Sequence, residues 1–582
     1  MRIVTIYLPL VLLMLANVTV AGQFAPGLEA YIAEKNAGEP LRALLILDDQ
    51  VNVTSMDLEL RDQRIDRATR HFRVVNALQE MARETQGDLL ADLDSRIGTG
   101  IEGYKAYWLI NAVLVVGHVD AVREFASRAD VNVAELDLVP QLIRPINSEP
   151  ASTDNREIGI APGIVAVGAR RVWDELGIRG EGTLIGSLDT GVDGNHPALA
   201  TRWRGTHAPW DECWLDVLGT ETEFPTDDDN HGTHTTGTMT GLAPDDTIGI
   251  APAAEWIATN AIGQPANDDF DNDILNCLEF FTDPDGDPST LDDVPDVVQN
   301  SWRVNEQFAG YVDCDSRWWE AIDNCEAAGV ALCWSAGNEG SESFTIGSPA
   351  DRATTLYNCF SVGATEYFAP YDIWDFSSRG PAGRLCGPED NRIKPEVVAP
   401  GVDIYSSIPG EGYLENSGTS MAGPHVAGVM ALMRSADPNI DVLTMKQVII
   451  ETAVDLGAAG EDNIYGHGFL DAYAAVQTVL GNTSSANQAP EAFALLSAVP
   501  NPFNPQTMIR FSLPTAGPVT LVLYDVKGRM IRSLIDEERP AGIGEVRWDG
   551  RDQQGRSTAS GTYLARLQSG DRVSVKRLML VR

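Results

Sequence analysis

Positive charge is scarce in this chain: 42 Lys plus Arg stand against 84 Asp plus Glu in 582 residues, a formal net charge of −42. Phosphate binding needs cationic side chains to displace condensed counterions, so a general nucleic-acid binder is excluded and no nucleic-acid partner is expected. The deficit is sharpest between Arg204 and Arg303, a stretch with no Lys or Arg and 22 acidic residues. Cysteine is missing from both flanks. All seven (Cys213, Cys277, Cys314, Cys325, Cys333, Cys359 and Cys386) lie between residues 213 and 386, with no CxxC pattern of the kind that holds zinc. Apolar residues, in contrast, make up 43% of the chain and charged ones 22%, which excludes disorder as a description of the whole.

Only one long apolar run is present. Arg2 precedes Ile3 to Ala16, about 14 residues and short of the ~20 that span a bilayer, and small residues at Thr19, Ala21 and Gly22 offer a cleavage site. Residues 1–21 are therefore expected to be a signal peptide, and the mature protein to be secreted, extracellular or at the cell surface of a bacterium. In an oxidising compartment some cysteines pair; Cys314 with Cys325 is the expected short loop, beside the reading that most are small core residues. The odd count leaves at least one unpaired.

Residues 43–48, 106–116 and 131–142 read as strands separated by helical stretches at about 56–93 and 118–128, a small α/β unit. From about 164 to 480, short apolar strands (184–188, 297–299, 330–334 and 360–362) alternate with helices, the pattern of a parallel sheet covered on both faces. A Ser/Asn/Ala linker follows. From Pro490 on, 13 basic and 9 acidic residues give +4, and period-two alternation (Val519, Leu521, Leu523) between turn signals predicts an antiparallel β-sandwich.

Four blocks carry chemistry. In IGSLDTGVDGNHP, Asp189 ends an apolar strand, the edge where α/β sheets present ligand groups. In DDDNHGTHTTGTMTG, His231 opens a helix of small residues. With His234 it does not match the HExxH spacing of a zinc site, and it suits a general base. In NSGTSMAGPHVAGVMALM, Ser420 starts a helix, so its amide and the helix dipole face any negative charge that develops beside it. In ALCWSAGNEG, Asn338 stands between glycines after a strand, where its amide can donate to an oxyanion.

The order Asp, His, Asn, Ser is the subtilisin order, and DTGVDGNHP, NHGTH, SAGNEG and GTSMAGPHVAG resemble the diagnostic motifs of subtilisin-like serine peptidases. IGIAPAAEWIA, FSSRGP, KPEVVAPG and YGHGFLDAYAAV agree, and the insert before DVVQNSW is most similar to the bacillopeptidase F-like branch. The resemblance covers about 160–480. It implies an α/β subtilisin-like fold and a secreted serine endopeptidase that hydrolyses protein or peptide substrates through an acyl-enzyme. Ser420 would be the nucleophile, His231 the base, Asp189 its orienting acid and Asn338 an oxyanion donor. Ser301, Trp302 and Arg303, with Ala336 and Gly337, would flank the substrate as extended edges. Arg303 departs from the family, which usually has Gly there. The chemistry would need no cofactor.

By the same resemblance, residues 22–147 look like an inhibitor-type propeptide, making the chain its own intramolecular inhibitor and a self-processed precursor cut between about Leu142 and Ala161. Residues 148–480 would be the peptidase domain and 481–492 a linker. Residues 493–582, with AVPNPFNP and LYDVKGRMIRSL, resemble the FlgD-type Ig-like modules of exported bacterial proteins, some of which engage outer-membrane secretion machinery. Asp283, Asp285 and Asp287 in TDPDGDPSTLDD leave two readings, a structural calcium loop or a solvated acidic insertion, because Gly286 is misplaced and no Glu closes the loop. The rival to catalysis is a cell-surface or adhesion protein that keeps the peptidase fold as a scaffold.

Overall fold

The computed structural model describes residues 23–36, 38–137, 141–150, 159–218, 222–243, 246–262, 273–305, 311, 313–485, 493–499, 501, 503–539, 542–570 and 572–581. The expected signal peptide lies outside them. No helix among them is long and apolar enough to cross a membrane.

The central domain is built on seven parallel strands in the order 397–400, 360–365, 331–335, 297–300, 184–188, 255–259, 214–215. The five-residue strands Leu184–Leu188 and Ala331–Ser335 are buried throughout, as apolar runs covered on both faces must be. Because all strands run the same way, their carboxyl ends open on one edge. There Asp189, Ser301 and Asn338 leave three adjacent strands. The helices His231–Thr240 and Thr419–Ala436 pack against each other across that edge. A small residue also brings the first of these helices close to the Asp189 loop: a Cβ on Gly232 would stand 2.0 Å from the Gly191 carbonyl oxygen and 3.1 Å from Asp189 Cβ.

The N-terminal domain is a five-stranded sheet in the order 23–24, 131–136, 40–47, 112–118, 101–107, with helices Val53–Asp62, Arg67–Thr85 and Gly87–Arg96. The expected single strand at 106–116 is a hairpin of two, broken at Leu109 to Asn111, where Asn111 takes φ 43°. The expected strand 131–142 stops at Leu136, and Gln141–Leu142 pairs elsewhere.

This domain is keyed into the central one by polar contacts. Arg67 Nη1 pairs with Asp296 at 2.7 Å, while Arg67 Nη2 donates to the carbonyls of Val294 and Pro295. Glu279 Oε1 accepts from the amides of Trp108 and Leu109, Asn324 Nδ2 donates to the Leu109 carbonyl, and Gln79 donates to Asp283.

The C-terminal domain consists of a three-stranded sheet (494–499, 507–513, 542–548) and a four-stranded one (530–539, 517–525, 561–569, 572–580), all antiparallel. Ile509 and Phe511 of one share a core with Leu521, Leu523, Ala565 and Leu567 of the other, so the expected sandwich forms. The preceding helix runs on to Ser485, into the stretch read as linker; 486–492 lie outside the described residues.

Cysteine pairing differs from expectation. Cys314 bonds to Cys386, with Cα atoms 5.0 Å apart, and Cys325 is a buried thiol on the helix Trp319–Ala328. Proximity in sequence misled, because that helix carries Cys325 into the core while Cys314 stays in the loop ahead of it. The other free cysteines are buried as well.

Thiol titration of the unfolded, unreduced protein should therefore count five groups. Closing a 72-residue separation should stabilise the fold by about 2–4 kcal/mol. Denaturant unfolding should show a loss of that size for Cys386→Ala and none attributable to a lost bridge for Cys325→Ala.

Candidate active site

Asp189 follows strand 184–188 and is 1% exposed. Its Oδ1 takes the Thr190 amide (2.8 Å) and lies 2.7 Å from His231 Nδ1, and its Oδ2 accepts from Thr235 Oγ1 (3.2 Å). His231 is the first residue of its helix and fully buried. Burial pulls its pKa down, but the Asp189 carboxylate, by charge and hydrogen bond, and then Asp229 and Asp227 outweigh it and hold His231 above 6.5. The Nδ1 contact to Asp189 leaves Nε2 as the ring nitrogen without a hydrogen-bond partner among the described residues.

Asp227 orders this corner, and sequence reasoning did not single it out. Its Oδ1 accepts from Thr190 Oγ1 and from the amides of Asp229 and Asn230, and its Oδ2 from Thr233 N (2.9 Å) and Thr233 Oγ1 (2.6 Å). One carboxylate thus caps the histidine helix and ties it to the Asp189 loop. Asp227 stands three residues before the N-cap position Asn230, so no capping rule singles it out from its run of three.

Ser420 is the second residue of the helix Thr419–Ala436, so its backbone N–H has no intrahelical acceptor. Asn338 is fixed from the same helix end, its Oδ1 accepting from Thr419 N (2.9 Å) and Thr419 Oγ1 (3.0 Å). Its Nδ2 is thereby aimed into the cleft. The structure brings all four sequence-predicted residues to one place.

The cleft is filled by the chain that leaves the N-terminal domain. Gln141–Leu142 pairs antiparallel with Trp302–Arg303, and Asn147–Pro150 pairs with 414–417. Between them, the Ile143 amide donates to the Ser301 carbonyl (2.8 Å) and the Ile143 carbonyl accepts from Ser420 Oγ (2.6 Å). Asn338 Nδ2 reaches the next carbonyl, that of Arg144, at 2.8 Å, and Arg144 pairs with Asp229.

Of the expected edge residues, the Ser301 carbonyl accepts from the segment, Trp302 and Arg303 lie opposite Leu142 and Gln141, and the Trp302 side chain is buried against Trp318 and Trp334. Ala336 and Gly337 instead bond to Val362, Thr419 and Ser378.

The acidic loop spends its carboxylates on turns. Asp285 Oδ1 accepts from the Asp287 amide, Asp287 Oδ1 from Ser289, and Asp293 Oδ2 from the Asp285 amide. Burial pushes Asp283 up to about 7 and Asp293 up to about 6. Among the described residues, the side chains whose ligand atoms converge within 4.8 Å are Asp313, Cys314, Asp351 and Cys386, and the disulfide leaves two carboxylates of that set.

Histidine NMR should separate these environments. His231 should titrate above 6.5 and His234, which burial pulls down to about 3, far below it. Because a charged partner favours imidazolium, Asp189→Asn should lower the His231 midpoint.

Comparison with known proteins agrees with this geometry. The subtilase family pattern matches residues 180–468, and that of the FlgD Ig-like domain matches 505–572. Bacillopeptidase F of Bacillus subtilis is 34% identical over 436 residues, 71% of this chain, which spans 29% of that longer protein. M-protease of Shouchella clausii is 29% identical over 352 residues, covering 60% of this chain and 78% of its own length. Fervidolysin from Fervidobacterium pennivorans, described as a keratinolytic enzyme related to subtilisin, superposes with a TM-score of 0.54 at 20% identity, over 94% of this chain and 73% of its own. Its likeness speaks for the fold alone. By its motifs, its parallel sheet and its relatives, the chain carries a subtilase-family domain over residues 180–468.

Proposed function

We propose that this chain is the precursor of an exported serine endopeptidase, and that its first substrate is its own Ile143–Arg144 bond. The observation that carries the reading is the seating of Ile143. Its amide is on Ser301 and its carbonyl on Ser420 Oγ, the placement a residue about to be acylated needs.

In the reaction, Ser420 Oγ swings from the Ile143 carbonyl to His231 Nε2, gives up its proton there and attacks the carbonyl carbon. The oxyanion is received by Asn338 Nδ2 and the Ser420 amide. Collapse breaks the C–N bond as His231 returns the proton to the Arg144 nitrogen. Water, deprotonated by His231, then releases the acyl group from Ser420. Asp189 keeps Nδ1 protonated and stabilises the imidazolium. These groups supply nucleophile, base and oxyanion donor, so the chemistry draws on no cofactor. A structural calcium ion would act on the acidic stretch between Arg204 and Arg303.

After the cut, the N-terminal domain would stay bound as an inhibitor through Arg67, Gln79, Trp108 and Leu109. Export is supported by the apolar run at residues 3–16 and by the disulfide. The C-terminal domain is the part that would meet secretion machinery.

Intact mass and N-terminal sequencing should find wild type beginning at Arg144 and carrying one serine-directed fluorophosphonate label, with Ser420→Ala unprocessed and unlabelled. An unprocessed, unlabelled wild type would sink the reading. On a peptide substrate, Asp189→Asn should cost about 10⁴ in kcat and Asn338→Ala about 10² to 10³. Added in trans, the N-terminal domain with Arg67→Ala should inhibit more weakly by at least about tenfold, since Asp296 loses a buried charge partner.

A further inference from the structure

The pairing in the cleft fixes which side chains share a face. Gln141 lies opposite Arg303 and Leu142 opposite Trp302, so Ile143 lies opposite Ser301. Side chains directly across an antiparallel pair point the same way, and the direction alternates along each strand. Leu142 and Trp302 therefore share one face, buried among tryptophans, while Ile143 and Arg303 share the other. As diagonal neighbours on that face, they stand within reach of a long side chain.

Arg303 runs past two glycines. A Cβ on Gly347 would lie 3.2 Å from Arg303 Cδ, and one on Gly337 would lie 3.4 Å from Arg303 Nη1 and 2.7 Å from Glu339 Oε2. The guanidinium forms an ion pair with Glu339, whose Oε2 also accepts from Ser378 Oγ (3.2 Å). Arg303 is 9% exposed. Two glycines thus mark out a space that this side chain occupies, directly before the oxyanion residue Asn338.

We propose that the Arg303–Glu339 pair is the wall of the pocket that receives the side chain preceding the scissile bond. It shortens the pocket to aliphatic side chains of the size of Ile143 and turns away aromatic ones. Because the two charges offset each other, the wall does not select for acidic side chains, although an arginine forms it. The inference rests on the peptidase reading and names the substrate class of that same site.

The test is the ratio of kcat/KM across one peptide series that carries Ile, Leu, Phe or Glu before the cleaved bond, on the processed enzyme. Wild type should favour Ile and Leu over Phe by at least about tenfold, a usual size for pocket discrimination. Arg303→Gly should raise the ratio of Phe to Ile by at least about tenfold. Glu339→Gln should leave Phe poor and raise Glu by a similar factor, because it removes a negative charge from the wall. Should Arg303→Gly fail to fold, Arg303→Lys and Glu339→Gln decide: the lysine should keep Phe excluded.

A wild type that prefers Phe, an active Arg303→Gly that still excludes Phe, an active Arg303→Lys that admits it, or an active Glu339→Gln that gains nothing on Glu would overturn the inference and leave the peptidase reading intact. A wild type that cleaves none of the series and takes no fluorophosphonate label would overturn both.

Discussion

Everything at the carboxyl edge of the sheet depends on one buried contact, the 2.7 Å hydrogen bond between Asp189 and His231. A carboxylate that is 1% exposed is costly unless its lone pairs are taken, and here the Thr190 amide, the imidazole and Thr235 take them. The same bond sets which imidazole nitrogen carries the proton and so which one is left without a partner. The tolerance is small. It explains why the surrounding residues are Gly and Thr, why the helix sits so close to the Asp189 loop, and why Asp227 spends five acceptor contacts on that one corner.

A second constraint acts at the far end of the sheet. Asp296 lies just before strand 297–300, buried, and is paired with Arg67 of the N-terminal domain and with Arg434 of the long helix that begins beside Ser420. One carboxylate therefore joins the covering domain, the sheet and the nucleophile helix. Of its two arginines only Arg434 stays once the covering domain departs, beside the Leu184 amide that donates to its Oδ2. The contacts themselves are complementary, since Asp296 and Glu279 of the central domain meet Arg67 and the backbone amides of Trp108 and Leu109.

Much of this was legible in the sequence, for identifiable reasons. Asp189, His231, Asn338 and Ser420 sit at strand ends and helix starts, where local pattern and chemical demand coincide. The parallel sheet announced itself through short apolar runs. Features made by tertiary contact were not legible. Cys386 meets Cys314 across 72 residues, Asp227 acts through a loop and a helix at once, and Glu339 becomes the partner of Arg303 only after two strands are brought side by side. The hairpin at 101–118 was not legible because the end of its first strand, the turn residues Trp108 to Ile110 and its second strand read as one apolar run, so no change in hydropathy marks the break, while the more polar start of the first strand, with Glu102 and Lys105, falls outside that run.

The strand Asn147–Pro150 has its own implication. Its register with 414–417 lies downstream of Ile143, on the part of the chain that stays attached after a cut there. The leaving half of the first substrate is thus never free to diffuse. Tethered by a few residues, it is present at an effective concentration in the millimolar range, whatever the amount of enzyme. Dilution cannot remove such an occupant. The onset of activity toward other proteins would then be timed by the peeling of this short strand as well as by loss of the covering domain, a first-order step independent of protein concentration.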